Sequence, residues 1–157
     1  MRREIRLYNF ILPVWLLWMF PPAWLLVLPG NLLIDGAVLF LTLTALGCGE
    51  RGDRMRRLLP PFWICGFIAD FAGVIWMLLG QFVSGLSGGW DLYFPFAHPA
   101  AFAWTLGAVA LSGVCIYGLD SFFLKGELSP LPEGSRRRAA LAMAVFTAPW
   151  TFFIPLF

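Results

Sequence analysis

Five long apolar stretches, at about 9–28, 31–47, 61–83, 99–121 and 139–157, fill most of this sequence. The hydrocarbon core of a bilayer is about 30 Å thick and takes roughly 20 apolar residues to cross as a helix. Backbone groups at that depth must find partners within the segment, so stretches of this kind fold as helices. Charged residues make up 13% of the chain, about half the ~25% usual in a soluble domain. A water-soluble globule, a disordered tail and a nucleic-acid-binding module are all excluded. The expected architecture is one all-α membrane domain, a bundle of five transmembrane helices.

Pro29-Gly30-Asn31 separates the first two stretches and reads as a tight turn, with Asn31 as N-cap of the second helix. Pro61 and Pro99 stand where first-turn prolines are tolerated, which marks the starts of the third and fourth spans. The Lys and Arg residues fall in three clusters: Arg2, Arg3 and Arg6; Arg51, Arg54, Arg56 and Arg57; and Lys125 with Arg136, Arg137 and Arg138. Basic residues near span ends stay cytoplasmic. Placing Arg2–Arg6 inside puts every Lys and Arg on the cytoplasmic side, with the N-terminus inside and the C-terminus outside. A basic start followed by an apolar run also describes a signal peptide. Here the run is longer than an h-region and lacks an Ala-x-Ala site, so it reads as the first span.

Asp70 is the most informative residue. It lies about ten residues into the third span, roughly 15 Å deep, near the midplane. An ionisable group there costs several kcal/mol, of order 3 or more, unless it is paired, wetted or protonated. At 100° per residue, Gly66, Asp70, Gly73, Met77, Gly80 and Gln81 share one arc of about 100°. Gly66, Gly73 and Gly80 allow another helix to approach closely. On the fourth span, Ala101, Thr105, Ala108, Ser112 and Cys115 form a stripe suited to that face, so Thr105 or Ser112 is expected to offer a hydroxyl near the depth of Asp70. Asp70 is then either a proton- or cation-binding group on a wet path or a pin at a helix contact.

Asp35 falls one turn into the second span, where the macrodipole favours a carboxylate. Asp120 is expected at the cytoplasmic boundary beside Lys125, as a solvated charge. Pro21-Pro22 breaks the first span about halfway across, and Pro149 kinks the fifth and frees the Val145 carbonyl. Breaks of this kind form ion or substrate sites in transporters, or are plain kinks filled by neighbours. His98, the single histidine, reads as a helix cap at the outer mouth. One histidine with separated carboxylates is not a metal signature, and no metal or cofactor is expected. Cys48, Cys65 and Cys115 are odd in number and map to the reducing side, so they read as buried fillers. The Arg clusters set topology and attract anionic lipid, at about 1 kcal/mol each.

The strings Pro29-Gly30-Asn31-Leu32-Leu33-Ile34-Asp35 and Ile68-Ala69-Asp70-Phe71 are similar to the two-aspartate motifs of lipoprotein signal peptidases. They depart from that family in the Asn-to-Asp spacing, in lacking an Arg after the first Asp, and in the mid-membrane position of Asp70. His98-Pro99-Ala100-Ala101-Phe102 and Thr147-Ala148-Pro149-Trp150 resemble the texture of small bacterial polytopic membrane proteins. That resemblance implies the bacterial cytoplasmic membrane and no particular activity. Two functions are carried forward. One is a proton- or cation-coupled transporter or channel-like protein for a small solute or ion, with binding by Asp70, Asp35, Gln81, Thr105 and Ser112. The other is a scaffold or accessory subunit, a homo-oligomer assembling through Gly66, Gly73 and Gly80. A membrane-embedded enzyme is a third reading, weakened by the absence of a nucleophile–base pair or a catalytic motif.

Overall fold

The computed structural model describes residues 24–154, so Pro21, Pro22 and all but the last five residues of the expected first span lie outside it. The described residues are all-helical: α1 Trp24–Ala45, α2 Arg51–Ser87, α3 Pro99–Glu127 and α4 Glu133–Phe146, followed by a short 3-10 turn, Trp150–Phe153. Three of these helices, α1 from Val27, α2 and α3, are long and apolar enough to cross a membrane.

Two expectations are corrected in α1. Pro29-Gly30-Asn31 is not a turn, and Asn31 is not an N-cap, because α1 runs straight through all three residues. Pro29 removes a single N–H and strands the Leu25 carbonyl one turn back, a loss that an apolar helix tolerates without stopping. Next to the proline, the Trp63 indole of α2 donates to the Leu28 carbonyl at 3.2 Å and holds this part of α1 against its neighbour. Consequently 9–28 and 31–47 do not form a hairpin at that point, and Asp35 sits near the middle of α1 rather than in its first turn.

Helix α2 begins ten residues before the expected start, with Pro60 and Pro61 inside it. The carbonyls these prolines strand belong to Arg56 and Arg57, which are exposed and reach water. At 37 residues, α2 is about 55 Å long, so its Arg-rich first turns project beyond a bilayer core. It ends on Gly88, whose left-handed φ of 64° lets its N–H bond back to the Ser84 carbonyl. Helix α3 starts where Pro99 predicts, and His98 caps it by accepting from the Ala100 N–H at 3.1 Å.

Over its described part, 139–154, the expected fifth span is not one continuous helix: a helix of 14 residues, begun at Glu133, is followed by a 3-10 turn, and residues 155–157 lie outside the described residues. Helix α4 is about 21 Å long, short of a bilayer core, and stops before Pro149, which has no N–H to continue it. The Val145 carbonyl that Pro149 strands accepts from the Trp150 indole at 2.8 Å.

Successive helices pack side by side, and α4 returns against α1 to close the ring. The contacts run antiparallel: Ser112 against Ala69, and Glu127 against Arg57. One core cluster, including Leu39, Leu43, Phe62, Ile116 and Met143, fills the Arg-rich half. A second, including Val74, Met77, Leu92, Val109 and Phe152, fills the other. Arg51, Arg54, Arg56 and Arg57 therefore share one end of the bundle with Lys125 and Arg136–Arg138.

Candidate functional site

The frame around Asp70 is built by α2 and α3. Trp76 donates to the Trp104 carbonyl at 3.1 Å, Trp104 donates to the Trp76 carbonyl at 2.9 Å, and the rings stack at 4.9 Å. This reciprocal clasp fits because Gly80 offers no side chain beneath Trp104. Two turns closer to Asp70, Gly73 faces Ser112 and the Phe152 ring in the same way. The Ser112 hydroxyl donates to the Ala69 carbonyl at 2.9 Å, locking α3 to α2 next to Asp70. The glycine face read as a surface for another subunit is thus occupied within the chain at Gly73 and Gly80.

Asp70 is 6% exposed and accepts from the Asn31 carboxamide at 3.2 Å through Oδ2, while Oδ1 is buried with no hydrogen-bond partner. Asp35, one turn along α1 from Asn31, is 5% exposed and points at α2 where Gly66 leaves room; a Cβ there would lie 3.4 Å from Asp35 Oδ2. Asp120 corrects the expected solvated charge: it is 1% exposed and neither carboxylate oxygen has a hydrogen-bond partner. Its neighbours one turn away on α3, Ile116 and Leu124, belong to the apolar core. Asp120 lies within electrostatic range of Asp35, and Asp35 of Asp70.

These positions form a ladder. Asn31 marks the level of Asp70 on α1, and Asp35 is four residues or about 6 Å further toward the Arg-rich end. Ser112 marks that level on α3, and Asp120 is eight residues or about 12 Å further in the same direction. Another seven residues reach Glu127, which pairs with Arg57 at 3.7 Å and whose carbonyl accepts from Arg54. Among the described residues, no Lys, Arg or His forms an ion pair with any of the three aspartates.

A cavity of about 340 Å³ opens between α1 and the end of α4. Asn31, Asp35 and Asp70 line one side, and Phe146, Thr147, Pro149, Trp150 and Thr151 the other. Of the residues singled out from sequence, Asp70 and Asp35 meet here and Ser112 braces the adjoining backbone. Gln81 stands eleven residues, about 16 Å, along α2 from Asp70, with its Oε1 buried and unpartnered. Thr105 spends its hydroxyl on the Ala101 carbonyl of its own helix. Neither lines the cavity. Asn31, Asp120, Thr147 and Thr151 were missed as site residues. An amide four residues before an aspartate on an apolar helix was the available signal for Asn31.

No family model, no curated protein and no solved structure matches the chain.

Proposed function

We propose that this is a proton-coupled transporter or channel-like protein of the bacterial cytoplasmic membrane, with Asp70 as its central protonation site and its Arg-rich end in the cytoplasm. The observation that carries this reading is the ladder of three buried carboxylates contributed by three different helices and, among the described residues, paired with no cation. Ionisable groups at membrane depth are costly and line ion pathways or proton relays where they occur. The rungs are offset by about 6 Å along the helix axes, which already exceeds one hydrogen bond, so each transfer needs a bridging water or a side-chain rotation. Basic residues near span ends are held in the cytoplasm, so the ladder descends from the cavity toward that side. A scaffold has no use for three buried carboxylates that cost stability without a cation to pair with.

The test is proton flux in proteoliposomes with a trapped pH indicator, under an imposed gradient and membrane potential. Wild type is expected to conduct, and Asp70→Asn, whose amide cannot take up or release a proton at neutral pH, to carry less than about a tenth of that flux. Equal flux from both proteins would overturn the assignment of Asp70.

A further inference from the structure

We infer that the cavity beside Asp70 binds a small organic cation, an ammonium group on an apolar body, in exchange for a proton. The inference deepens the proposed function and rests on its reading of Asp70 as the ion-carrying group. Three features of the cavity select this chemistry.

The first is charge. Asp35 and Asp70 share the cavity, and Asp70 Oδ1 is buried without a partner. Two carboxylates in a water-poor site hold negative charge only when a proton or another cation compensates it. An anion is repelled, and a neutral solute leaves the pair uncompensated. The second is the end of α4. Its last turn and the segment up to Pro149 border the cavity, so the negative end of a half-crossing helix adds to the carboxylates. Half-helix C-termini at membrane depth are suited to cations for this reason.

The third is size and wall chemistry, which separates an organic cation from a metal ion. Calcium and magnesium take six or more oxygen ligands and zinc about four, and among the described residues no group of three His, Cys, Asp or Glu side chains is placed to hold a metal. A bare alkali ion would leave most of about 340 Å³ unfilled. Phe146, Pro149 and Trp150 provide apolar surface opposite the carboxylates. The Trp150 indole is pinned at the cavity wall by its bond to the Val145 carbonyl, so less side-chain freedom is lost when an apolar body packs there.

The exchange makes no covalent bond. As the ammonium enters, a carboxyl proton of the Asp35–Asp70 pair leaves to water, and it returns when the cation departs. Asp70 meets Asn31 and Asp35 from α1 and shares the cavity with Thr147 and Thr151 after α4, while Ser112 of α3 bonds the adjoining Ala69 carbonyl and Asp120 lies within electrostatic range of Asp35. The exchanged proton therefore belongs to the aspartates.

The probe is benzyltrimethylammonium, titrated calorimetrically into the purified full chain in buffers of different ionisation enthalpy, with neutral benzyl alcohol as control. The expected result is saturable binding of the cation, release of close to one proton, and affinity that weakens toward about tenfold per pH unit on acidification. Thr151→Trp, an exposed rim position that the larger ring would fill, should weaken binding at least tenfold, and it tests the site even if Asp70→Asn fails to fold. No binding, or equal binding of the neutral control without proton release, would overturn the inference. Proton flux measured in liposomes free of organic cation keeps the two readings apart. Flux without cation binding sinks the inference alone, whereas pH-linked binding without flux sinks transport and retains the site.

Discussion

Gly80→Ala is expected to destabilise the protein by about 3 kcal/mol, a large effect for one methyl group. A Cβ at Gly80 would fall inside the Trp104 ring, 2.5 Å from Cδ1 and 2.7 Å from Cε2, so the indole has to move. Moving it breaks the stack on Trp76 and strains two hydrogen bonds that cross between α2 and α3. Overpacking costs about 1–3 kcal/mol, and each lost bond adds about 1. Apolar burial drives little helix association in lipid, where packing and interhelical hydrogen bonds carry the contact. The clasp is therefore a main hold on the α2–α3 pair. Gly85→Ala is the matched control, since nothing lies within 4 Å of a Cβ there. That change should be neutral or stabilise by about 0.5–1 kcal/mol through helix propensity alone. Unfolding of the three proteins in mixed micelles, followed by tryptophan fluorescence, measures both. If Gly80→Ala unfolds with wild type, the clasp does not secure the helix pair.

Much of the helical frame was legible in the sequence, and the reasons for the failures are specific. Apolar length and Pro99 located α3; of the three glycines spaced along the third stretch, Gly73 and Gly80 lie against α3, whereas Gly66 lies against Asp35 of α1. Pro29-Gly30-Asn31 misled because turn propensities describe water, where a stranded carbonyl and an unpaired N–H are solvated. Against α2 the same residues continue a helix, with Trp63 serving Leu28 and Asn31 serving Asp70. That single error shifted Asp35 from mid-span to an end and hid its place beside Asp70. Pro149 was visible as a break, but whether a broken helix resumes depends on what receives its last carbonyls. Trp150 receives one of them, and α4 stops. The register between α2 and α3 was narrowed to Thr105 or Ser112 at the depth of Asp70, and it is Ser112 that lies against Ala69, whereas the pairing of Trp76 with Trp104 has no local signature.

Asp120→Leu is expected to raise stability by about 1–3 kcal/mol while reducing proton flux at least tenfold. Leucine shares the branch at Cγ and puts two methyl groups where the carboxylate has two oxygens, both of which are buried with no hydrogen-bond partner. An unsatisfied buried polar group costs about 1–3 kcal/mol, and exchanging it for an apolar group of the same shape recovers that cost. The flanking core of Ile116, Leu124, Phe62 and Leu39 already suits a leucine. The same substitution removes the rung between Asp35 and the Glu127–Arg57 end, a gap of several helical turns that no other acidic side chain of α3 spans. Asp120→Asn keeps the shape and most of the polar cost, so it should lose flux with little change in stability. The pair of variants separates the roles: a structural aspartate would give a less stable Asp120→Leu protein, and an idle one would leave flux unchanged in both. Gain of stability with loss of flux is the result that fits a residue kept, against the interest of the fold, for the protons it carries.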